Sequence, residues 1–269
     1  METPKYKLGH IGLHFFEEPF ISGNKGSGTM FFSGCNMRCV YCQNYPLSRQ
    51  NMGKGFSEQE FICAALSLQE KGAHNINLVT PSHYIKPLPQ TLKKLKQKLT
   101  IPIVYNTSGY DGEKDLENLK GLVDIYLADF KYWSDESSQK YSGRADYPAV
   151  VKKALIEMKG QQPEDIFDSV GIMQRGLAVR HLVMPGLIEE SKAILDFLRQ
   201  NFGERTVVSL MAQYLPLYGA ESFPEINRKI TKTEYHKVLN YALNLGFSNI
   251  LTQELASAAQ EYIPHFNLI

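Results

Sequence analysis

Net charge is almost absent from this chain. Its 269 residues carry 29 Lys and Arg against 28 Asp and Glu, a formal balance of +1. So even a balance supplies no global drive toward nucleic acid or an anionic membrane. Cysteine is scarce too. There are four in the whole chain, at 35, 39, 42 and 63, which excludes a small disulfide-stapled scaffold. No stretch approaches the ~18 apolar residues of a membrane span. The opening METPKYKLGH lacks the apolar run of a secretory signal. Internal repeats, low-complexity tracts and a long Ser/Gly/Pro-rich linker are missing as well. The expectation is a cytoplasmic protein forming one domain over 1–269, without nucleic-acid or membrane partners. Its 43% hydrophobic and 21% charged residues match ordinary globular usage.

What is present is a regular alternation of short apolar runs and helical patterns. Residues 1–27 read as a loop-like lead-in, with Pro4, Pro19 and several glycines. GTMFFS at 28–33 reads as a first strand. Ser57 with Glu60 gives a capping-box signal for a helix ending at Gly72. Further strands are expected at 76–80, 101–106, 124–130, 177–184 and 206–211. Helices are expected over 87–99, 113–122, 146–160, the IEESKAILDFLRQNF stretch and 232–245. A short apolar FSNILT run follows the last of these. About six βα units in one chain mean an α/β fold with a parallel sheet and crossover helices. The core of that fold is placed at about 28–215, with a C-terminal extension from about 216 to 269.

Three of the four sulfurs fall in one loop, CNMRCVYC at 35–42, spaced C-x3-C-x2-C. Three thiolates this close can converge on one inorganic centre. A cubane iron–sulfur cluster normally takes four, one per iron. With only three, one iron keeps an open position, the arrangement that permits catalysis rather than structure alone. Two alternatives stay open on spacing. A zinc site could recruit His10 or His14, although no second Cys or His pair follows downstream. A thioredoxin-like pair at Cys39 and Cys42 would leave Cys35 unexplained. Cys63 lies among Phe61, Ile62, Ala64 and Ala65 and reads as a core cysteine, with the fourth ligand position as its outside alternative.

The strand map brings polar and turn-forming residues to one rim, where barrel-type sites lie. These are Thr80 to His83, Asn106 to Gly109, Asp129 with Lys131, Arg180 with His181, and Gln213 with Tyr214. Asp129 and Lys131 alternate along a strand and so face one side, with Phe130 on the other. Taken singly, each could be a cap, a turn or a salt bridge. The aromatic segment GLHFFEEPF at 12–20 reads either as a packed lead-in or as a docking surface for a partner chain.

C-x3-C-x2-C with Tyr41 before the last cysteine resembles the hallmark of the radical S-adenosylmethionine enzymes. The stretch 23–48, NTSGY at 106–110, YLADFKY at 126–132 and RHLVMPG at 180–186 are similar to the branch related to pyruvate formate-lyase activating enzymes. The resemblance implies a partial (β/α)6 TIM-like barrel. It implies a [4Fe–4S] cluster on Cys35, Cys39 and Cys42, with S-adenosylmethionine on the remaining iron. It implies cofactor contacts at Tyr41, Thr80, Asn106, Ser108, Asp129, Lys131, Arg180 and Gln213. Reductive cleavage to a 5′-deoxyadenosyl radical, a flavodoxin or ferredoxin as reductant, and a glycyl radical enzyme as partner complete the implied picture. Radical chemistry on a small molecule and a non-catalytic iron–sulfur or zinc protein are the alternatives. Two departures stand out. A Gly-Gly-Glu-like stretch usual after the second strand is replaced by NLVTPSHY at 77–84, and Gln213 stands where a His is usual.

Overall fold

The computed structural model describes residues 3–253. Residues 1–2 of the lead-in and 254–269 of the C-terminal extension lie outside the described part. In chain order the strands are β1 Tyr6–His14, β2 Ser27–Phe32, β3 Lys54–Phe56, β4 Ile76–Val79, β5 Ile103–Thr107, β6 Ile125–Asp129, β7 Ile166–Phe167, β8 Met173–Leu182, β9 Val207–Met211 and β10 Ile250–Thr252. The helices are α1 Pro19–Ser22, α2 Tyr45–Ser48, α3 Glu58–Glu70, α4 Leu88–Leu95, α5 Glu113–Glu117, α6 Asp135–Ser142, α7 Tyr147–Gln161, α8 Ile188–Phe202 and α9 Lys232–Asn244.

The strands lie side by side as β10-β9-β8-β6-β5-β4-β2-β1-β3, with β7 attached to β8. From β2 to β10 every neighbouring pair on this path is parallel. Among the described residues the ends do not pair with each other, so the sheet is curved but open, a partial barrel. The six strands expected from sequence are β2, β4, β5, β6, β8 and β9. FSNILT supplies a seventh parallel strand, β10.

The lead-in is the main correction. It is not a loop: β1 pairs antiparallel with β2 and β3. Its glycines suggested a loop, but Gly9 is there for contact. A Cβ at Gly9 would lie 2.1 Å from Leu47 Cδ2, so any side chain there would have to displace the Leu47 tip from its contact with the strand. After β1 the chain turns under the barrel. Phe20 and Ile21 of α1 pack with Val104, Ile125, Leu127, Met173, Ala178 and Val207. The sheet's inner face thus carries its own apolar floor. The outer face packs Tyr105, Tyr126, Ala128 and Phe130 against the helices. Along β6 the alternation is strict: Ile125, Leu127 and Asp129 face in, as period-two geometry requires.

Local signals hold where they are strong. Ser57 accepts from the Glu60 N–H and Glu60 answers on the Ser57 N–H, a complete capping box. Helix α8 begins and ends where its apolar stripe of Ile194, Leu195 and Leu198 indicates. Helix α6 lacks such a stripe and is not expected from sequence. It is fixed by its ends, with Ser134 capping the Ser137 N–H and Gly143 closing in the left-handed conformation. Cys63 is a second correction. Phe61, Ile62, Ala65 and Leu68 form the buried face of α3, and Cys63 falls outside it and is exposed. We expect Ser57→Ala to cost about 1 kcal/mol of stability, read from the urea midpoint. No change would show the capping box to be energetically idle.

Candidate active site

A cavity of about 540 Å³ opens inside the curve of the sheet, within the ~300–1,000 Å³ of small-molecule sites. The loop after β2 forms one wall and presents Cys35, Cys39 and Cys42 to it. Backbone bonds hold this loop to α6, from Arg38 N–H to the Ser142 carbonyl and from Val40 N–H to the Tyr141 carbonyl. Arg144 Nε donates to the Asn36 carbonyl at 2.8 Å, and Asn36 Nδ2 donates to the Tyr110 carbonyl at 2.7 Å.

All four cysteines are free, and each of the three in the loop has its own hydrogen-bond partner. Met37 N–H donates to Cys35 Sγ at 3.4 Å. Ser142 Oγ donates to Cys39 Sγ at 3.0 Å and is itself joined to the Tyr132 hydroxyl at 2.9 Å. That hydroxyl meets Tyr41 at 2.6 Å. Cys42 Sγ lies 3.2 Å from Ser48 Oγ. Burial, with the neighbouring Cys39 sulfur adding, pushes the Cys35 thiol up to about 12 and the Cys42 thiol upward. Three adjacent thiolates therefore need a cationic centre among them to form. Donors aimed at sulfur are what metal-bound thiolates accept, so this set fits an iron–sulfur cluster. Among the described residues no group of three or more His, Cys, Asp or Glu is arranged for a single metal ion. A four-iron centre, by contrast, spreads its ligands over several irons.

Facing the thiols is a buried charge array. Arg180 Nε donates to Asp129 Oδ1 at 2.8 Å and Nη2 to Asn106 Oδ1 at 2.7 Å. Lys131 Nζ donates to Asp129 Oδ2 at 2.6 Å. Burial alone would raise the Asp129 carboxyl, but Arg180 and Lys131 outweigh it and hold it below its usual range. Burial would likewise lower Lys131, and Asp129 reverses that and holds it up. Strand register places Asp129 directly beside Arg180, so neither residue reorganises to make the pair.

Tyr41, Thr80, Asn106, Ser108, Asp129, Lys131, Arg180 and Gln213 all line the cavity. Other rim residues turn away. His181 spans the Phe130 carbonyl at 2.7 Å and Ser191 Oγ at 2.8 Å, and burial lowers its imidazole to about 4. His83 meets the Ser33 carbonyl, and the Tyr214 hydroxyl donates to the Ile226 carbonyl. Gly109 serves the site indirectly. A Cβ there would meet the Asp129 carbonyl oxygen at 2.5 Å, so glycine lets the loop after β5 lie against β6.

Thr80 carries strain. Its φ is +60°, a conformation that a β-branched residue rarely adopts. The strain falls at the end of β4, where the usual glycines are missing. Thr80→Gly should therefore raise stability by about 1 kcal/mol, measured by denaturant unfolding. A loss of stability would mean that the threonine side chain anchors the turn.

Glu17 and Glu18 were not singled out by sequence. Both line the cavity, close to Arg180. Burial raises both carboxyls against the pull of Arg180, Glu18 to about 7. Two adjacent acids inside an aromatic run, HFFEEPF, were the available signal. The hydroxyl chain Tyr41–Tyr132–Ser142 was also missed, because α6 itself was.

Among the described residues no helix is long and apolar enough to cross a membrane. The family described as the Radical SAM superfamily matches residues 29–198. An uncharacterized protein of Methanocaldococcus jannaschii is 30% identical over 239 residues, 86% of this chain and 65% of that one. The pyruvate formate-lyase-activating enzyme of Clostridium pasteurianum is 23% identical over 192 residues, 68% of this chain and 72% of that one. Among solved structures, Streptococcus suis SuiB bound to S-adenosylmethionine superposes with a TM-score of 0.57 at 16% identity. That match covers 85% of this chain and 50% of SuiB. Methylornithine synthase gives 0.52 at 17% identity, covering 81% of this chain and 68% of that one. The chain thus spans 65% of the archaeal relative and half of SuiB.

Proposed function

The chain belongs to the radical SAM superfamily, and from that premise we propose that it cleaves S-adenosylmethionine reductively and uses the 5′-deoxyadenosyl radical to abstract hydrogen. The observation that carries this reading is the wall of three hydrogen-bonded thiols opening into the same cavity as the Asp129–Arg180–Lys131 array. Cys35, Cys39 and Cys42 would hold a [4Fe–4S] cluster and would leave one iron open to S-adenosylmethionine. When bound, the cluster supplies the single electron that breaks the sulfonium C–S bond, giving methionine and the deoxyadenosyl radical.

The remaining work falls to the chain's own side chains. Lys131, kept charged by Asp129, faces the cofactor carboxylate. Asn106 and Ser108 hydrogen-bond the nucleoside. Thr80 takes the place of the missing glycines, and Tyr41 and Gln213 close the cluster side. Arg180 fixes Asp129 and Asn106 in place. The apolar floor of Phe20 and Ile21 keeps water from below. A flavodoxin or ferredoxin is the proposed electron donor, and a reducing cytoplasm the compartment. The whole of 1–269 acts as one domain in this reading.

Similarity to the Clostridium pasteurianum enzyme supports a narrower version, in which the hydrogen comes from a glycine of a partner protein. Anaerobic reconstitution with iron and sulfide, followed by reduction, should give protein that releases 5′-deoxyadenosine from S-adenosylmethionine. Absence of that product from iron-loaded, reduced protein refutes the reading. For the narrower version, a glycyl radical signal by electron paramagnetic resonance should appear on a captured partner. Cleavage without such a signal favours a small-molecule substrate.

A further inference from the structure

Two carboxyls in the cavity have no part in the reading above. Glu17 and Glu18 run directly into α1, whose Phe20 and Ile21 form the floor. They therefore lie between that floor and the Asp129–Arg180 array, to which Glu17 is hydrogen-bonded, while the thiols stand on the loop past the end of β2. Their partners are weak. Glu17 Oε1 accepts from Asn106 at 3.3 Å and Oε2 from Arg180 at 3.3 Å. Glu18 is 7% exposed, yet among the described residues its Oε2 has no hydrogen-bond partner and lies 3.9 Å from Arg180. The shorter bonds of Arg180 go to Asp129 and Asn106, and Lys131 is taken by Asp129. Three cavity carboxyls thus share two cations, and both cations are already committed.

A second observation points the same way. Asn77 is fully buried on β4, close enough to Glu17 to favour its charged form. Among the described residues neither its side-chain nitrogen nor its oxygen reaches hydrogen-bond geometry with a partner. Buried polar groups without partners are costly and rare. Of these groups Glu18 lines the open cavity itself, with Asn77 buried behind it. Phe15 and Phe16, 51% and 64% exposed, flank the same cavity.

We infer that Glu17 and Glu18 form the substrate subsite and take a protonated amino or guanidino group carried by the substrate. The inference rests on the radical SAM reading and gives it a substrate class. An ammonium or guanidinium brings several donors and no acceptor. It pairs Glu18 Oε2 through a charge-assisted bond. The Phe15 and Phe16 rings on the same cavity are of a kind that tolerates a cation better than an anion. Burial works against the charged form of both carboxyls, and a bound cation restores it, whereas a neutral apolar group leaves Glu18 Oε2 unpaired.

Calorimetry on the reconstituted full chain at neutral pH tests this with two pairs of probes. Free pentylamine is compared with pentan-1-ol, and acetyl-Gly-Lys-Gly-amide with its norleucine counterpart. In at least one pair the cation should bind about tenfold or more tighter. The pair that does so tells a free amine from a peptide side chain. Glu18→Gln should abolish that preference, and Glu18→Asp should keep part of it. Equal binding within both pairs overturns the inference, as does a preference that survives Glu18→Gln. It is also overturned if Glu18→Gln weakens S-adenosylmethionine by the same factor as the amine, because the carboxyl then serves the cofactor. The wild-type protein is assayed alongside for 5′-deoxyadenosine. Cofactor cleavage without cation preference sinks only the substrate class. No cleavage sinks the radical reading itself.

Discussion

Replacing Cys39 by alanine should leave a folded protein that assembles no iron–sulfur cluster and releases no 5′-deoxyadenosine above background. The wild-type protein should carry about four irons per chain, and Cys39→Ala fewer than about one. The loop itself has independent anchors. Its backbone is bonded to α6 at Ser142 and Tyr141, and Arg144 holds the Asn36 carbonyl. Loss of one sulfur therefore removes a ligand without releasing the loop, and the thermal midpoint of the iron-free protein should shift by only a few degrees (about 1 kcal/mol). The Cys63→Ala variant is the control. That thiol is exposed on α3, so iron content and cleavage should match the wild type. Brown absorbance and cleavage that survive Cys39→Ala would refute the ligand assignment.

Arg180→Leu should destabilise the iron-free protein by about 3–5 kcal/mol, the range for removing one partner of a buried ion pair. One guanidinium serves Asp129, Asn106 and Glu17 at once. Leucine leaves two buried carboxyls facing each other and an amide oxygen without its donor. Lysine should not restore the loss, since a single ammonium cannot reproduce the planar fan of contacts. Urea unfolding with an unchanged slope reads the effect. A loss below about 1 kcal/mol would mean that water, rather than Arg180, compensates the two carboxyls.

Much of this site can be read in the sequence because its chemistry is local. The three thiols lie within eight residues, and no tertiary contact is needed to see them together. Asp129 and Lys131 are likewise placed on one face by strand alternation alone. The capping box at Ser57 and the stripe of α8 set their helix ends by short-range bonds and contacts. What escaped is non-local. The Cys39 sulfur is served by Ser142, 103 residues away, on a helix without an apolar pattern. Glu17 meets Arg180 across 163 residues, and nothing in HFFEEPF announces that it turns under a barrel. Cys63 failed for a different reason. Apolar neighbours in sequence do not share its face of a helix, and 3.6-residue periodicity puts it outside.

The central claim is that Cys35, Cys39 and Cys42 present one cluster with an open iron to S-adenosylmethionine. The most direct measurement is electron paramagnetic resonance of the reduced, reconstituted protein before and after S-adenosylmethionine is added. The account predicts a signal of one reduced [4Fe–4S] cluster per chain that changes shape on addition, and that change should vanish in Cys39→Ala. One tightly bound zinc per chain with no iron, or a cluster signal indifferent to S-adenosylmethionine, would contradict it.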